Sequence, residues 1–168
     1  MTFSVVVMGV AGCGKSSLAT LLAEGEGAHL IEGDAYHSAS NRGKMQRGIP
    51  LTDDDRAGWL DTLAGQLRGH SNDVVLTCSA LKRAYRDRLR AAAPGLRFVF
   101  MEIDAASARA RVEARRDAHF FSPTLITSQF EALESPVGEP GVLRVDALAP
   151  LADLRAEVSA WLRGGTGS

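Results

Sequence analysis

The stretch FSVVVMGVAGCGKSSLATLLAEG, residues 3–25, decides how this chain is read. Phe3 to Met8 is a short run of apolar and β-branched residues, the composition of a strand buried on both faces. Gly9-Val10-Ala11-Gly12-Cys13-Gly14-Lys15-Ser16 follows at the spacing G-x-x-x-x-G-K-[ST]. Leu18, Leu21 and Leu22 then recur at helical spacing. A strand, a glycine-rich loop and a helix in this order make an anion cradle. The glycines let backbone N–H groups turn inward, and the helix N-terminus adds free amides and its dipole. Lys15 is placed to reach the β- and γ-phosphates of a nucleotide, and the Ser16 hydroxyl to hold Mg²⁺.

Outward from this motif, strands and helices alternate. Strands are predicted at 29–31, 73–78, 96–103 and 142–145. Helices are predicted from Thr52 to about 68, and over 82–92, 105–116, 122–134 and 150–163. Thr52 and Asp55 form a capping-box pattern with Asp in place of Glu or Gln. The polar, Arg- and Gly-containing stretch 38–50 shows no element. Alternation of this kind builds a parallel sheet covered by helices on both faces. One α/β domain over 1–163 accounts for the chain, and residues 164–168 read as a disordered tail.

The balance of 19 Lys and Arg against 20 Asp and Glu leaves a net charge of −1, so no global field favours nucleic acid. No apolar run approaches the roughly 20 residues of a membrane helix. The N-terminal apolar run reads as a strand rather than a signal peptide. With only two cysteines, Cys13 and Cys78, no disulfide framework is expected, and a cytoplasmic location is. Cys13, among the loop amides, reads as a filler rather than a reactive thiol.

Phosphoryl transfer to an alcohol needs an acidic group near the acceptor, cations for the equatorial oxygens, and exclusion of water. Glu32 and Asp34 end the second strand, where ligands bind in doubly wound sheets. Asp34 is a candidate to accept the acceptor's proton, and Glu32 to hold a metal-bound water. The segment 34–60 is polar and basic, with Lys44, Arg47 and Arg56 suited to an anionic small molecule. Arg56 lies in the first turn of a helix, where its charge opposes the dipole. A ligand carboxylate would offset that, and so would a salt bridge to Asp53, Asp54 or Asp55. His37 is a candidate hydrogen-bond donor to substrate. Ser79 and Lys82 follow the third strand, which carries no terminal Asp of the Walker-B kind. Arg109, Arg111, Arg115 and Arg116 lead into the two phenylalanines 120 and 121. This pattern suits a lid over about 115–125 that closes on ATP.

Four blocks together resemble the small bacterial gluconokinases, relatives of shikimate and nucleoside monophosphate kinases. They are MGVAGCGKSS (8–17), EGDAYHSASNRGKMQRGIPLTDDDRAGWL (32–60), CSALKRAYRDRLR (78–90) and HFFSPTLITSQFEALESP (119–136). The resemblance implies transfer of the ATP γ-phosphate to the 6-hydroxyl of D-gluconate with Mg²⁺. It also implies a P-loop NTPase fold: three α/β/α layers, a five-stranded parallel sheet in the order 2-3-1-4-5, a mobile lid, and a homodimer. Gly9 to Ser17 would bind the ATP phosphates, and Asp34 would orient or deprotonate the acceptor hydroxyl. Arg56 matches an arginine that holds the acid group in shikimate kinases. Arg111 would stack on adenine, Arg115 would reach the phosphates, and the segment ending at Pro150 would flank the base. Glu32 stands where relatives often have Asp, and the spacing from Arg111 to His119 is one residue longer than usual.

Shikimate is the weaker acceptor candidate, because Ser79-Ala80-Leu81 replaces the glycine-rich triplet expected after the third strand. A nucleoside monophosphate kinase would show an Asp-Gly pair there. A guanine-nucleotide switch would carry Asn-Lys-x-Asp, which is absent from the sequence.

Overall fold

The computed structural model describes residues 2–114 and 123–164. Its elements are β1 (Ser4–Met8), α1 (Lys15–Glu26), β2 (His29–Glu32), a 3₁₀ turn (Gly33–Tyr36), α2 (Ala39–Gln46), α3 (Asp53–Gly69), β3 (Val74–Thr77), α4 (Arg83–Ala92), β4 (Arg97–Glu102), α5 (Ala105–Ala114), α6 (Pro123–Ala132), β5 (Val142–Asp146) and α7 (Leu151–Gly164). All five strands run parallel, in the order β2-β3-β1-β4-β5. That is the order the family resemblance implies.

The strand β1 is central because it is the most completely apolar. Val5, Val6, Val7 and Met8 are fully buried, flanked by β3 and β4. Right-handed crossovers then assign the faces. The step from β1 to β2 runs one way along the sheet, and the steps from β2 to β3 and from β3 to β4 run the other. Accordingly α1 packs with α7 on one face, and α3 packs with α4 on the opposite face. Chains leaving β1 and β3 therefore diverge to opposite faces, which opens a crevice beyond the carboxyl ends of these neighbouring strands. The phosphate loop lies on one side of it and residues 78–82 on the other.

The capping box opening α3 is present with both arms. Thr52 Oγ1 accepts from Asp55 N–H at 3.1 Å, and Asp55 Oδ2 accepts from Thr52 N–H at 2.9 Å. The helix α2 departs from expectation. Its sequence SASNRGKMQ carries almost no apolar stripe, so periodicity does not reveal it. It forms because Ser38 caps Asn41 N–H and because its polar side chains dock on neighbouring backbone. Arg42 donates to Ala35 O and His37 O, and Asn41 to Asp55 O. The tail beyond 164 and the segment 115–122, most of the expected lid, lie outside the described residues. Among the described residues no helix is long and apolar enough to cross a membrane.

Candidate active site

The phosphate loop runs from Gly9 to Ser16, and α1 starts at Lys15. Gly14, the residue before the helix, sits at φ 97°, a conformation that disfavours any residue with a Cβ. Lys15 folds back over the loop, its Nζ donating to Gly9 O at 3.0 Å and Val10 O at 3.2 Å. The Val10 and Cys13 side chains are buried beneath the loop, so only their backbone is offered to a ligand. Ser16 Oγ donates to Glu32 Oε2 at 2.8 Å, and Thr77 Oγ1 approaches the same carboxylate oxygen at 3.4 Å. This all-oxygen donor set suits Mg²⁺, a hard cation.

The end of β2 is held very close to β3. Gly33 N–H donates to Thr77 Oγ1 at 3.1 Å, and a Cβ at Gly33 would lie 2.1 Å from Thr77 O. Only glycine fits there. Trp59 Nε1 donates to Gly33 O at 2.8 Å, locking the turn from the α3 side. Asp34, the next residue, projects exposed into a cavity of about 480 Å³ beside Lys15 and Ser16.

His37 faces the same cavity, stacked on Trp59 with centroids 4.1 Å apart. Burial first, with Arg56 and Arg42 nearby, holds its pKa below the ordinary value in spite of Asp34. The ring is therefore neutral at pH 7. Asn41 Nδ2 donates to Asp55 O at 2.9 Å and also faces His37 Nδ1 at 3.3 Å. An amide NH₂ in that position makes Nδ1 the acceptor and leaves the proton on Nε2, 3.9 Å from Asp34 Oδ1.

Arg56 resolves the choice the sequence leaves open. It is 9% exposed and lines the cavity, with its guanidinium 5.5 Å from the centre of the Tyr85 ring. That guanidinium has no ion-pair or hydrogen-bond partner among the described residues. Its neighbouring carboxylates are taken elsewhere. Asp53 accepts from the Tyr85 hydroxyl and from Lys82 Nζ at 3.1 Å, and these bonds, Tyr85's first, hold its carboxyl below its usual range. Asp55 accepts from Lys44 at 2.7 Å and is drawn down to about 2 by that bond and by Thr52. A buried cation without a partner is costly, and an anionic ligand group offsets the cost.

The structure thus brings together Lys15, Ser16, Ser17, Asp34, His37, Arg56 and Ser79 around one cavity. Lys44 and Lys82, expected at the substrate, are instead held in ion pairs with Asp55 and Asp53 and do not line it. Arg115 lies outside the described residues. Arg111 donates to Gly12 O, Cys13 O and Ala147 O, tying the phosphate loop to the turn after β5 that leads to exposed Pro150. Cys13 and Cys78 are both free and buried, and burial pushes the Cys78 thiol up to about 12. Three residues escaped the sequence reading as parts of the site: Thr77, Trp59 and Gln129. Trp59 and Gln129 each sit inside a quoted block with no chemistry assigned to them. Met45, Ile49 and Leu51 also give the cavity an apolar wall in a segment that reads as polar.

Comparison with known proteins agrees with this geometry. The profile of a family described as an AAA domain matches residues 5–140. The gluconokinase of Gluconobacter oxydans (strain 621H) is 45% identical over 146 residues, covering 84% of this chain and 80% of its own. The crystal structure of a gluconokinase from Sinorhizobium meliloti 1021 superposes with a TM-score of 0.88 at 46% identity, covering 96% of this chain and 92% of its own. An unliganded sugar kinase from Janibacter sp. HTCC2649 superposes with a TM-score of 0.91 at 38% identity, covering 97% and 95%.

Proposed function

The chain belongs to the gluconokinase family, and from this premise we infer that it transfers the γ-phosphoryl group of ATP to the 6-hydroxyl of D-gluconate, giving ADP and 6-phosphogluconate. The observation that carries the acceptor is Arg56, a buried cation with no ion-pair partner among the described residues, facing the cavity that also holds the phosphate loop. A sugar acid presents both a carboxylate for a guanidinium fork and hydroxyl groups for transfer.

On this reading the loop amides and Lys15 hold the ATP phosphates, and Arg111 sits beside the base. Asp34 accepts a hydrogen bond from the attacking hydroxyl and turns its lone pair toward phosphorus. His37, with its proton on Nε2, and Ser79 bind further hydroxyls, and Arg56 takes the carboxylate. Ser16 and Glu32 would hold Mg²⁺ beside the phosphates. The cation, when bound, neutralises charge on the β- and γ-phosphates. We also propose a homodimer in the cytoplasm. The dimer rests on the family resemblance, and the location is supported by two free, buried cysteines suited to a reducing compartment.

The decisive test is ADP release from Mg²⁺-ATP with D-gluconate, shikimate, glucose, AMP or no acceptor. Strong stimulation by gluconate alone is expected, and stimulation by a different acceptor would replace the substrate. Arg56→Met should raise the KM for gluconate roughly 10- to 100-fold, the scale of a hydrogen-bonded charge contact. It should leave the KM for ATP unchanged. Asp34→Asn should lower kcat about a hundredfold while ATP binds as before. An unchanged kcat would remove Asp34 from the chemistry.

A further inference from the structure

The helix α6 sends one polar side chain onto the phosphate loop. Gln129 Oε1 accepts a hydrogen bond from Ala11 N–H at 2.7 Å, across 118 positions of sequence. Because the loop atom is a donor, the group facing it is the carboxamide oxygen. The amide nitrogen of the same planar group is then held beside the loop, and Gln129 lines the cavity that contains Lys15 and Asp34. That nitrogen carries two N–H donors and makes no hydrogen bond to the described residues. Lys15 Nζ lies on the carbonyls of Gly9 and Val10, the two residues preceding Ala11. An ammonium and a carboxamide NH₂ are thus mounted along the same three loop residues.

The mounting is firm. Two residues past the end of α6 the chain reaches Glu134, whose N–H donates to Leu81 O at 2.7 Å. Glu134 O accepts from Arg86 at 2.9 Å, and its carboxylate accepts from Arg83 N–H at 2.9 Å. Ser128 Oγ donates to Leu125 O within the helix. Gln129, in the last turn of α6, is therefore presented from the end of the helix that is tied to the acceptor-side loop, and its side chain touches the phosphate loop.

We propose that Gln129 is a catalytic residue of the transfer. Its oxygen docks on Ala11 N–H, and its amide nitrogen donates to a non-bridging oxygen of the terminal phosphate of ATP. This rests on the kinase reading above and adds to it a neutral donor for the transferred group. Charge accumulates on those oxygens as the phosphoryl group departs, and fixed donors aimed at them lower the barrier. A neutral amide can approach both the loop and the phosphate, whereas a carboxylate in its place would repel the phosphate.

Gln129→Glu separates this role from a purely structural one. The carboxylate still accepts from Ala11 N–H, so the melting temperature should stay within about 2 °C of wild type. The donors to the phosphate are lost. Gluconate-dependent kcat should fall about a hundredfold. In calorimetric titrations the preference for ATP over ADP should shrink at least about tenfold. Unchanged kcat and an unchanged ATP-to-ADP ratio would show that Gln129 only anchors α6, overturning the proposal. If Gln129→Glu does not fold, Gln129→Met, neutral and similar in size, takes its place. There a retained ATP preference overturns the proposal and a lost one supports it. Absence of gluconate-stimulated ADP release by the wild type would count against the substrate alone, since the ATP-to-ADP ratio is read without any acceptor.

Discussion

Lys15→Ala is expected to lower gluconate-dependent kcat by about a thousandfold, the upper range for loss of one pre-positioned donor to developing charge. In the structure the ammonium spends two of its three donors on Gly9 O and Val10 O, which keeps it at the mouth of the loop. Substitution removes a full positive charge from the place where the phosphates bind, and among the described residues no other lysine lines the cavity. The fold does not depend on it. Its two contacts are part-buried hydrogen bonds to Gly9 O and Val10 O of the phosphate loop, so the melting temperature should fall by only a few degrees. Steady-state kinetics together with a thermal melt would check this. A variant retaining more than a tenth of the wild-type kcat would remove Lys15 from transition-state stabilisation.

Arg86→Met should be strongly destabilising, because it breaks a buried charge network. Arg86 is fully buried, and its guanidinium donates to Glu139 through Nε and Nη2, at 2.9 and 2.6 Å, to Ala80 O at 2.7 Å and to Glu134 O at 2.9 Å. Methionine fills the space but leaves two carbonyls without their donor, and leaves Glu139 to Arg90 alone. Breaking a buried pair in this way costs about 3–5 kcal/mol. At roughly 2–4 °C per kcal/mol for a chain of this size, the melting temperature should drop by about 10 °C. Arg86→Lys should recover little, because one ammonium cannot span a carboxylate and two separate carbonyls. A loss below 1 kcal/mol would mean that the network contributes little to stability.

The same network shapes the site. Ala80 adopts φ 46°, a strained conformation for a residue with a Cβ, and Arg86 holds its carbonyl there. Ser79 is thereby turned into the cavity. Arg86→Met should therefore also raise the KM for gluconate. The pH dependence follows from Glu139. Burial pushes its carboxyl up, but the hydrogen bonds from Arg86 and Arg90 outweigh this and leave it below its usual value. With the folded-state value depressed, the stabilisation is fully present above the ordinary glutamate pKa of about 4.3. It is lost as the pH falls through the lower folded-state value.

What was legible in the sequence was local. The β-branched run before Gly9, the glycine spacing that leads into α1 and the Thr52–Asp55 box each act over a few residues. Their physics is complete within the segment, and the structure realises each of them. The helix α2 is the instructive exception. It lacks an apolar stripe and is held by caps and by backbone acceptors at Ala35, His37 and Asp55, which no periodicity displays. The partners of the charged residues could not be read either. Whether Arg56 was paired depended on Tyr85 and Lys82 capturing Asp53 from 32 and 29 positions away, and on Lys44 capturing Asp55. The contact of Gln129 with Ala11 exists only because the fold brings α6 against the phosphate loop. The sequence by itself determined that a strand delivers a phosphate loop to a helix. Only the tertiary structure decided which side chains face that loop, because a charge or an amide is satisfied by whatever the fold places within reach.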